Sequence, residues 1–259
     1  MIEAAKSSPT IQPMGWARSL LYFGLPAAAF WVAFYGLMPW LMDQGLPFFY
    51  AYAFSLGLPL SGMLVGGIAA TRREGHPWQW PVLQKRWRLY GMNGRIWLWT
   101  IATLLAALVA YQLLSQVQTS LALQGVIPIP EGLPGALDPR QEIGPDTLHL
   151  IYGDIQGDWL VLIIFLALLT VNIVGEEVWW RGYILPRQEL AFGRWTWLIH
   201  GLMWNLFHVF KWWDLIALLP VTLLLSFLVV RTGNNTPGVI FHALFNGLAI
   251  PFIILAIMG

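Results

Sequence analysis

Two adjacent carboxylates, two histidines and an asparagine lie in or beside strongly apolar stretches of this chain, and they are the residues whose types could do chemistry. Glu176 and Glu177 open the run Glu176-Glu177-Val178-Trp179-Trp180-Arg181. Arg181 follows Glu177 by about one helical turn, so the two share a face and can pair. That reads as a buried ion pair bracing the helix. Glu176 points about 100° away and is left unpaired by that bond. A carboxylate with no cation beside it in a low dielectric can take and return a proton near neutral pH, which is what acid–base catalysis needs.

Further on, Trp204-Asn205-Leu206-Phe207-His208 puts an aromatic ring and an imidazole one turn apart, with His200 two turns earlier. A histidine in a membrane helix is either an interhelical hydrogen bond or part of an ion or proton path. His242 and Asn246 are also one turn apart, hence stacked on one face. Both can donate towards a single point, as an oxyanion hole requires, or bond across a helix interface. His76 and His149 fall in polar connections and carry no such signal.

These residues must be positioned by helices in lipid. The chain has 259 residues, 58% hydrophobic and only 10% charged, with 16 tryptophans, a ring type that favours the headgroup boundary. Soluble domains carry roughly a quarter charged residues. A formal charge of +1, with no Walker loop and no dinucleotide fingerprint, excludes nucleic acid and nucleotide as expected partners. The absence of cysteine excludes disulfides and thiolate chemistry.

About 20 apolar residues cross a bilayer, and seven segments qualify or nearly do: Leu20 to Leu41, Pro47 to Ala70, Ile96 to Leu114, Trp159 to Leu185, Trp195 to Phe210, Leu215 to Val230 and Val239 to Met258. The fold class expected is an all-α, polytopic helical bundle of about seven spans. The polar stretch Met1 to Arg18 leads into an apolar run too long for a signal-peptide core, so it reads as an uncleaved anchor. Lys6, Arg18, Arg72, Arg73, Arg86, Arg187 and Arg231 fall on one side of this arrangement, and Asp43, Glu131, Asp146 and Asp158 on the other. The positive-inside rule then predicts N-in, C-out. Only Arg140 and Lys211 fall outside among the basic residues.

The chain divides into a membrane region 1–114 with three spans, a connection 115–158 and the motif-bearing helices 159–259. Within the first, the basic stretch Thr71 to Arg95, interleaved with Trp78, Trp80, Trp87 and Tyr90, reads as an interfacial segment for anionic lipid heads. The connection is acidic and rich in Pro and Gly, as a loosely structured outer loop would be.

Taken in order, EExxxR, aromatic-xxx-H and HxxxN in hydrophobic helices resemble the CAAX-protease and bacteriocin-processing family of intramembrane endopeptidases. The resemblance covers about Trp159 to the C-terminus; members often have eight spans. It implies that Glu176 and His208 activate a water, that His242 and Asn246 stabilise an oxyanion, and that Glu177 and Arg181 stand behind them. Trp204 occupies the place where the family usually has Phe, keeping an aromatic wall but a bulkier one. The implied substrate is a peptide or membrane protein, with a prenylated C-terminus or without.

No cofactor is implied. Two histidines and a glutamate, His208, His242 and Glu176, could nevertheless hold zinc, although HExxH is absent. Ser and Thr offer no rival nucleophile in a GxSxG elbow. Two other readings use the same residues: a non-catalytic adaptor or immunity factor in which they brace helices, and a proton-coupled transporter, against which the lack of repeated halves argues. Compactness and loop style suggest a bacterial cytoplasmic membrane. One difficulty is geometric. If spans four and five ran straight between the boundaries above, Glu176 would lie towards the cytoplasmic face and His208 near the outer one. To share a water, Glu176 must sit deeper or the fifth span must be displaced.

Overall fold

The computed structural model describes residues 11–142, 144 and 147–259. About 80% of it is helix, with no strand among the described residues, so the expected all-α bundle is what forms. Lys6 and Asp146, used in the charge argument, lie outside the described residues.

Helix α1 (Trp16–Val32) continues through a π-helical segment, Ala33–Leu37, into α2 (Met38–Asp43). Pro39 explains the change of winding, because it has no N–H to return to the preceding turn. Helix α3 (Phe48–Arg73) returns, the short α4 (Trp80–Arg86) follows, and α5 (Gly94–Leu123) extends well past Leu114. Asn93 caps α5 by accepting from the Ile96 N–H at 3.0 Å. After α6 (Leu148–Tyr152) come α7 (Trp159–Glu176), a π-helical segment Glu177–Ile184 and α8 (Leu185–Phe192). The last helices are α9 (Thr196–Phe207), a 3₁₀ segment His208–Asp214, α10 (Leu215–Thr232), α11 (Thr236–Gly247) and α12 (Ala249–Met258).

By length and composition five helical stretches can cross a membrane: Trp16–Asp43, Phe48–Arg73, Gly94–Leu123, the bent run Trp159–Thr232 and Thr236–Met258. The chain is an integral membrane protein.

The fourth rod corrects the expected boundary at Leu185. Pro186 occupies the first turn of α8, where a missing N–H is tolerated, so the rod runs on to Phe192. Glu176 is therefore about 24 Å from the Gly193 corner at 1.5 Å per residue, and His208, beyond the 12-residue α9, is about 18 Å from the same corner. The two stand at similar depth, which removes the geometric difficulty.

Close helix approach depends on glycines, as membrane packing commonly does. A Cβ on Gly175 would stand 2.9 Å from the Leu60 carbonyl oxygen, which brings α7 against α3. One on Gly201 would stand 3.0 Å from both Leu223 Cα and the Thr222 carbonyl oxygen, which brings α9 against α10. The core between them is aromatic: Trp180, Phe207, Trp213 and Phe241 are buried.

The basic stretch behaves differently from its reading as lipid-facing throughout. Trp78, Trp80 and Tyr90 are exposed, as an interface requires, but Trp87 is buried and its Nε1 donates to Thr71 Oγ1 at 3.1 Å. Arg86 turns inward. Its Nε donates to Glu74 at 2.6 Å and its Nη1 to the Gly182 carbonyl at 2.6 Å, in the place of the N–H that Pro186 cannot supply four residues on. Arg187 also pairs with Glu74 and donates to the Tyr183 carbonyl at 2.7 Å. Burial pushes the Glu74 carboxyl up, but Arg86 and Arg187 outweigh that and hold it below the usual carboxylate range. Arg88 is paired with Glu189. These arginines clamp the π-helical segment that follows Glu176.

The connection before α7 is also packed rather than loose where it meets the 3₁₀ segment. Trp212 Nε1 donates to the Pro128 carbonyl at 2.7 Å and Trp213 Nε1 to the Leu137 carbonyl at 3.1 Å.

Candidate active site

A cavity of about 460 Å³ opens between α3, α5, α7, the α9–α10 bend and α11. Glu176, Trp204, His208, His242 and Asn246 all line it. Helical spacing accounts for each pair: Trp204 and His208 are one turn apart, as are His242 and Asn246.

Glu176 is buried and corrects the expectation that it stands unpaired. No cation bonds it, but three neutral N–H donors do. Asn172 Nδ2 donates to Oε1 at 2.7 Å, while Trp204 Nε1 and Trp180 Nε1 donate to Oε2 at 2.8 and 3.1 Å. The carboxyl group is thereby fixed as an acceptor facing the cavity. Trp204 is more than an aromatic wall, because a phenyl ring has no N–H to give.

The histidines are set by what their Nδ1 atoms meet. His208 Nδ1 lies 2.9 Å from the Trp204 carbonyl oxygen, which can only accept. Nδ1 therefore carries the proton, and neutral His208 presents a basic Nε2. His242 Nδ1 lies 2.9 Å from Glu177 Oε1, the same oxygen that accepts from Arg181 Nη1 at 3.1 Å. The expected Glu177–Arg181 pair is present, fully buried, with the guanidinium stacked 3.6 Å from the Trp204 ring centroid. The pair has a third member that spacing did not reveal. With Glu177 ionised, His242 Nδ1 is a donor, so its Nε2 can donate only as imidazolium. This restricts the expected oxyanion role, in which His242 was a donor without condition.

Asn246 Nδ2 donates to Asn172 Oδ1 at 2.8 Å, and Asn172 in turn donates to Glu176. Asn172 thus joins the two halves of the site, and sequence reading missed it. Its signal was an amide one turn before Glu176 in an otherwise apolar helix. His200 is elsewhere: buried, with Nδ1 2.6 Å from Gln188 Oε1. Gln188 donates in turn to Ser19 at 2.9 Å. Asn172→Leu is expected to leave the fold intact and lower turnover roughly tenfold, the value of about one hydrogen bond to a charged group. Steady-state kinetics on the purified variant checks it.

Among the described residues no three His, Cys, Asp or Glu side chains are grouped as metal ligands, so Glu176, His208 and His242 do not form the zinc set weighed above.

Residues 158–248 match the family model described as Type II CAAX prenyl endopeptidase Rce1-like. No curated protein and no solved structure matches the chain. The matched stretch contains all three motifs and Glu176, Trp204, His208, His242 and Asn246, whereas α1, α3, α5 and α12 line the cavity from outside it. The part of the chain that bears the candidate site is therefore similar to Rce1-like CAAX endopeptidase domains, and it lies within an integral membrane protein.

Proposed function

We propose that the protein hydrolyses a peptide bond of a membrane-associated substrate with a water placed between Glu176 and His208. The observation that carries this reading is the convergence of one acceptor carboxylate, one imidazole with a free Nε2 and one amide on a single cavity inside the bundle. Glu176 accepts a proton from water as the oxygen attacks the carbonyl carbon, and His208 Nε2 orients the same water. Negative charge then develops on the carbonyl oxygen. The second N–H of Asn246 donates to it, and His242, oriented by Glu177, joins it when its ring carries both protons. The proton taken by Glu176 passes to the leaving nitrogen, the C–N bond breaks and two peptides result.

The same residues bracing helices in a non-catalytic adaptor would not need a cavity between them. A proton relay would not need two donors opposite the acceptor. We place the chain in a bacterial cytoplasmic membrane on its compactness and loop style, with its N-terminus inside on the charge distribution.

The test is to incubate the purified protein in nanodiscs with a prenylated CAAX peptide in ¹⁸O-water and analyse the products by mass spectrometry. One new carboxylate carrying a single ¹⁸O is expected. An intact peptide, with intact membrane-protein substrates in the same assay, counts against the reading.

A further inference from the structure

The basic segment 71–95 has two faces, and only the inner one meets the helices of the site. Inward, Leu83 and Trp87 stand one turn apart, buried, and pack with Val178 of the π-helical segment. The Trp87 ring also fills the space that a side chain on Gly182 would need, 3.0 Å from a Cβ placed there. Beyond α4 the chain crosses to the other half of the site. The Arg88 carbonyl accepts from the Asn235 N–H at 2.7 Å, and the Tyr90 carbonyl accepts from Thr236 Oγ1 at 2.8 Å. Asn235 leads into α11, and its Nδ2 donates to the Glu177 carbonyl at 3.3 Å. Residues 86–90 therefore touch both elements between which the Glu177–His242 bond is made. That stretch is also strained. Arg88 has φ 56°, in the left-handed region, and such a backbone persists only where its surroundings impose it.

Outward, the same segment exposes Arg72, Arg73, Lys85 and Arg95 beside the exposed rings of Trp78, Trp80 and Tyr90. Arg194 and Arg231 are exposed at the same end of the bundle, at the α8–α9 corner and in the last turn of α10. Among the described residues none of these six cations pairs with an acid. Glu74 and Glu189, the acids of this end, are taken by Arg86, Arg187 and Arg88. Arg72, Arg194 and Arg231 lean instead on the rings of Trp78, Trp195 and Trp99, at 5.8, 5.1 and 5.5 Å. Uncompensated cations among exposed tryptophans fit a layer of anionic headgroups, with indoles at headgroup depth and cations on the phosphates. An acidic soluble protein would answer the charge but not the rings.

We infer that anionic lipid headgroups bind this outer face and hold residues 86–90 on the π-helical segment and α11, so that the lipid sets the Glu177–His242 contact and with it turnover. The segment presents its four cations beside Arg194 and Arg231 only while it is docked. A headgroup layer thus binds the docked arrangement better and shifts the equilibrium towards it. Each basic residue near an anionic surface contributes about fivefold, and salt screens the attraction. The effect on turnover rests on the peptidase reading, whereas the effect on the contact does not.

The experiment compares the full chain in nanodiscs of phosphatidylcholine alone and of phosphatidylcholine with about one third phosphatidylglycerol. Hydrogen exchange at the amides of residues 177–184 and 235–239 should be at least about fivefold slower with the anionic lipid, and turnover of a prenylated peptide should rise by a similar factor. R72Q/R73Q/K85Q/R95Q, which leaves every inward contact in place, should exchange alike in both lipids, as the wild type should at high salt. Equal exchange of the wild type in the two lipids, a difference that survives the quadruple variant, or slow exchange produced in phosphatidylcholine discs by soluble glycerol phosphate overturns the inference. Lipid-dependent exchange with no cleavage in either membrane would keep the lipid surface and remove the peptidase reading. Lipid-dependent exchange with equal cleavage in both would overturn the link to turnover.

Discussion

Glu176→Gln is expected to lower cleavage about 10²- to 10⁴-fold, the range assigned to a positioned general base, while the protein stays folded. The exchange is nearly isosteric, but it places an NH₂ group where three donors now point. Trp180 and Trp204 fix Oε2 as an acceptor, so the new amide nitrogen must face Asn172. Asn172 then has to turn its own oxygen towards position 176, which presents its NH₂ to Asn246. The substitution therefore removes the base and also misdirects the amide opposite it. Turnover of a prenylated peptide by the purified variant, alongside its elution on size exclusion, is the measurement. A variant that cleaves within a factor of a few of wild type would remove Glu176 from the mechanism.

Arg181→Met carries the largest expected effect on stability. It leaves the Glu177 carboxylate buried with His242 as its side-chain partner, and Oε2 has no hydrogen bond already. Breaking a buried pair by removing one member costs about 3–5 kcal/mol, and the stacking on Trp204 is lost as well. Tryptophan-monitored unfolding in detergent should show a large fall in stability. The double variant Glu177→Gln/Arg181→Met should recover much of it, since neither charge remains. It should not recover turnover, because His242 loses the carboxylate that orients its ring. Full activity in the double variant would make Glu177 a brace and nothing more.

How much of this was legible depended on whether a partner lay on the same helix. The i, i+4 relations of Glu177 with Arg181, Trp204 with His208 and His242 with Asn246 follow from one period, and the apolar stretches around them announce the bundle. The bond from His242 to Glu177 crosses from α11 to the start of the π-helical segment, and no local pattern encodes it. Asn172 was overlooked because a single amide in an apolar helix is also an ordinary interhelical contact. A fourth span ending at Leu185 stops short of Pro186, which stands in the first turn of α8 and lets the rod continue, and that boundary misplaces Glu176 relative to His208. The arginines of the basic stretch were assigned to lipid because their acceptors, Glu74, Glu189 and the Gly182 carbonyl, become neighbours only when α3, α4 and α8 are assembled.

The contact between Arg86 and the Gly182 carbonyl bears on modularity. Residues 158–248 carry the motifs, yet the donor that stands in for the missing N–H of Pro186 comes from α4, outside that stretch. A buried carbonyl left without a donor costs about 1–3 kcal/mol, and it would fall on the winding that aims Glu177 at His242. The motif-bearing third of the chain is thus not a transplantable cassette. During synthesis Arg86 leaves the ribosome before Gly182 does, so the splint is in the membrane by the time the helix that needs it arrives.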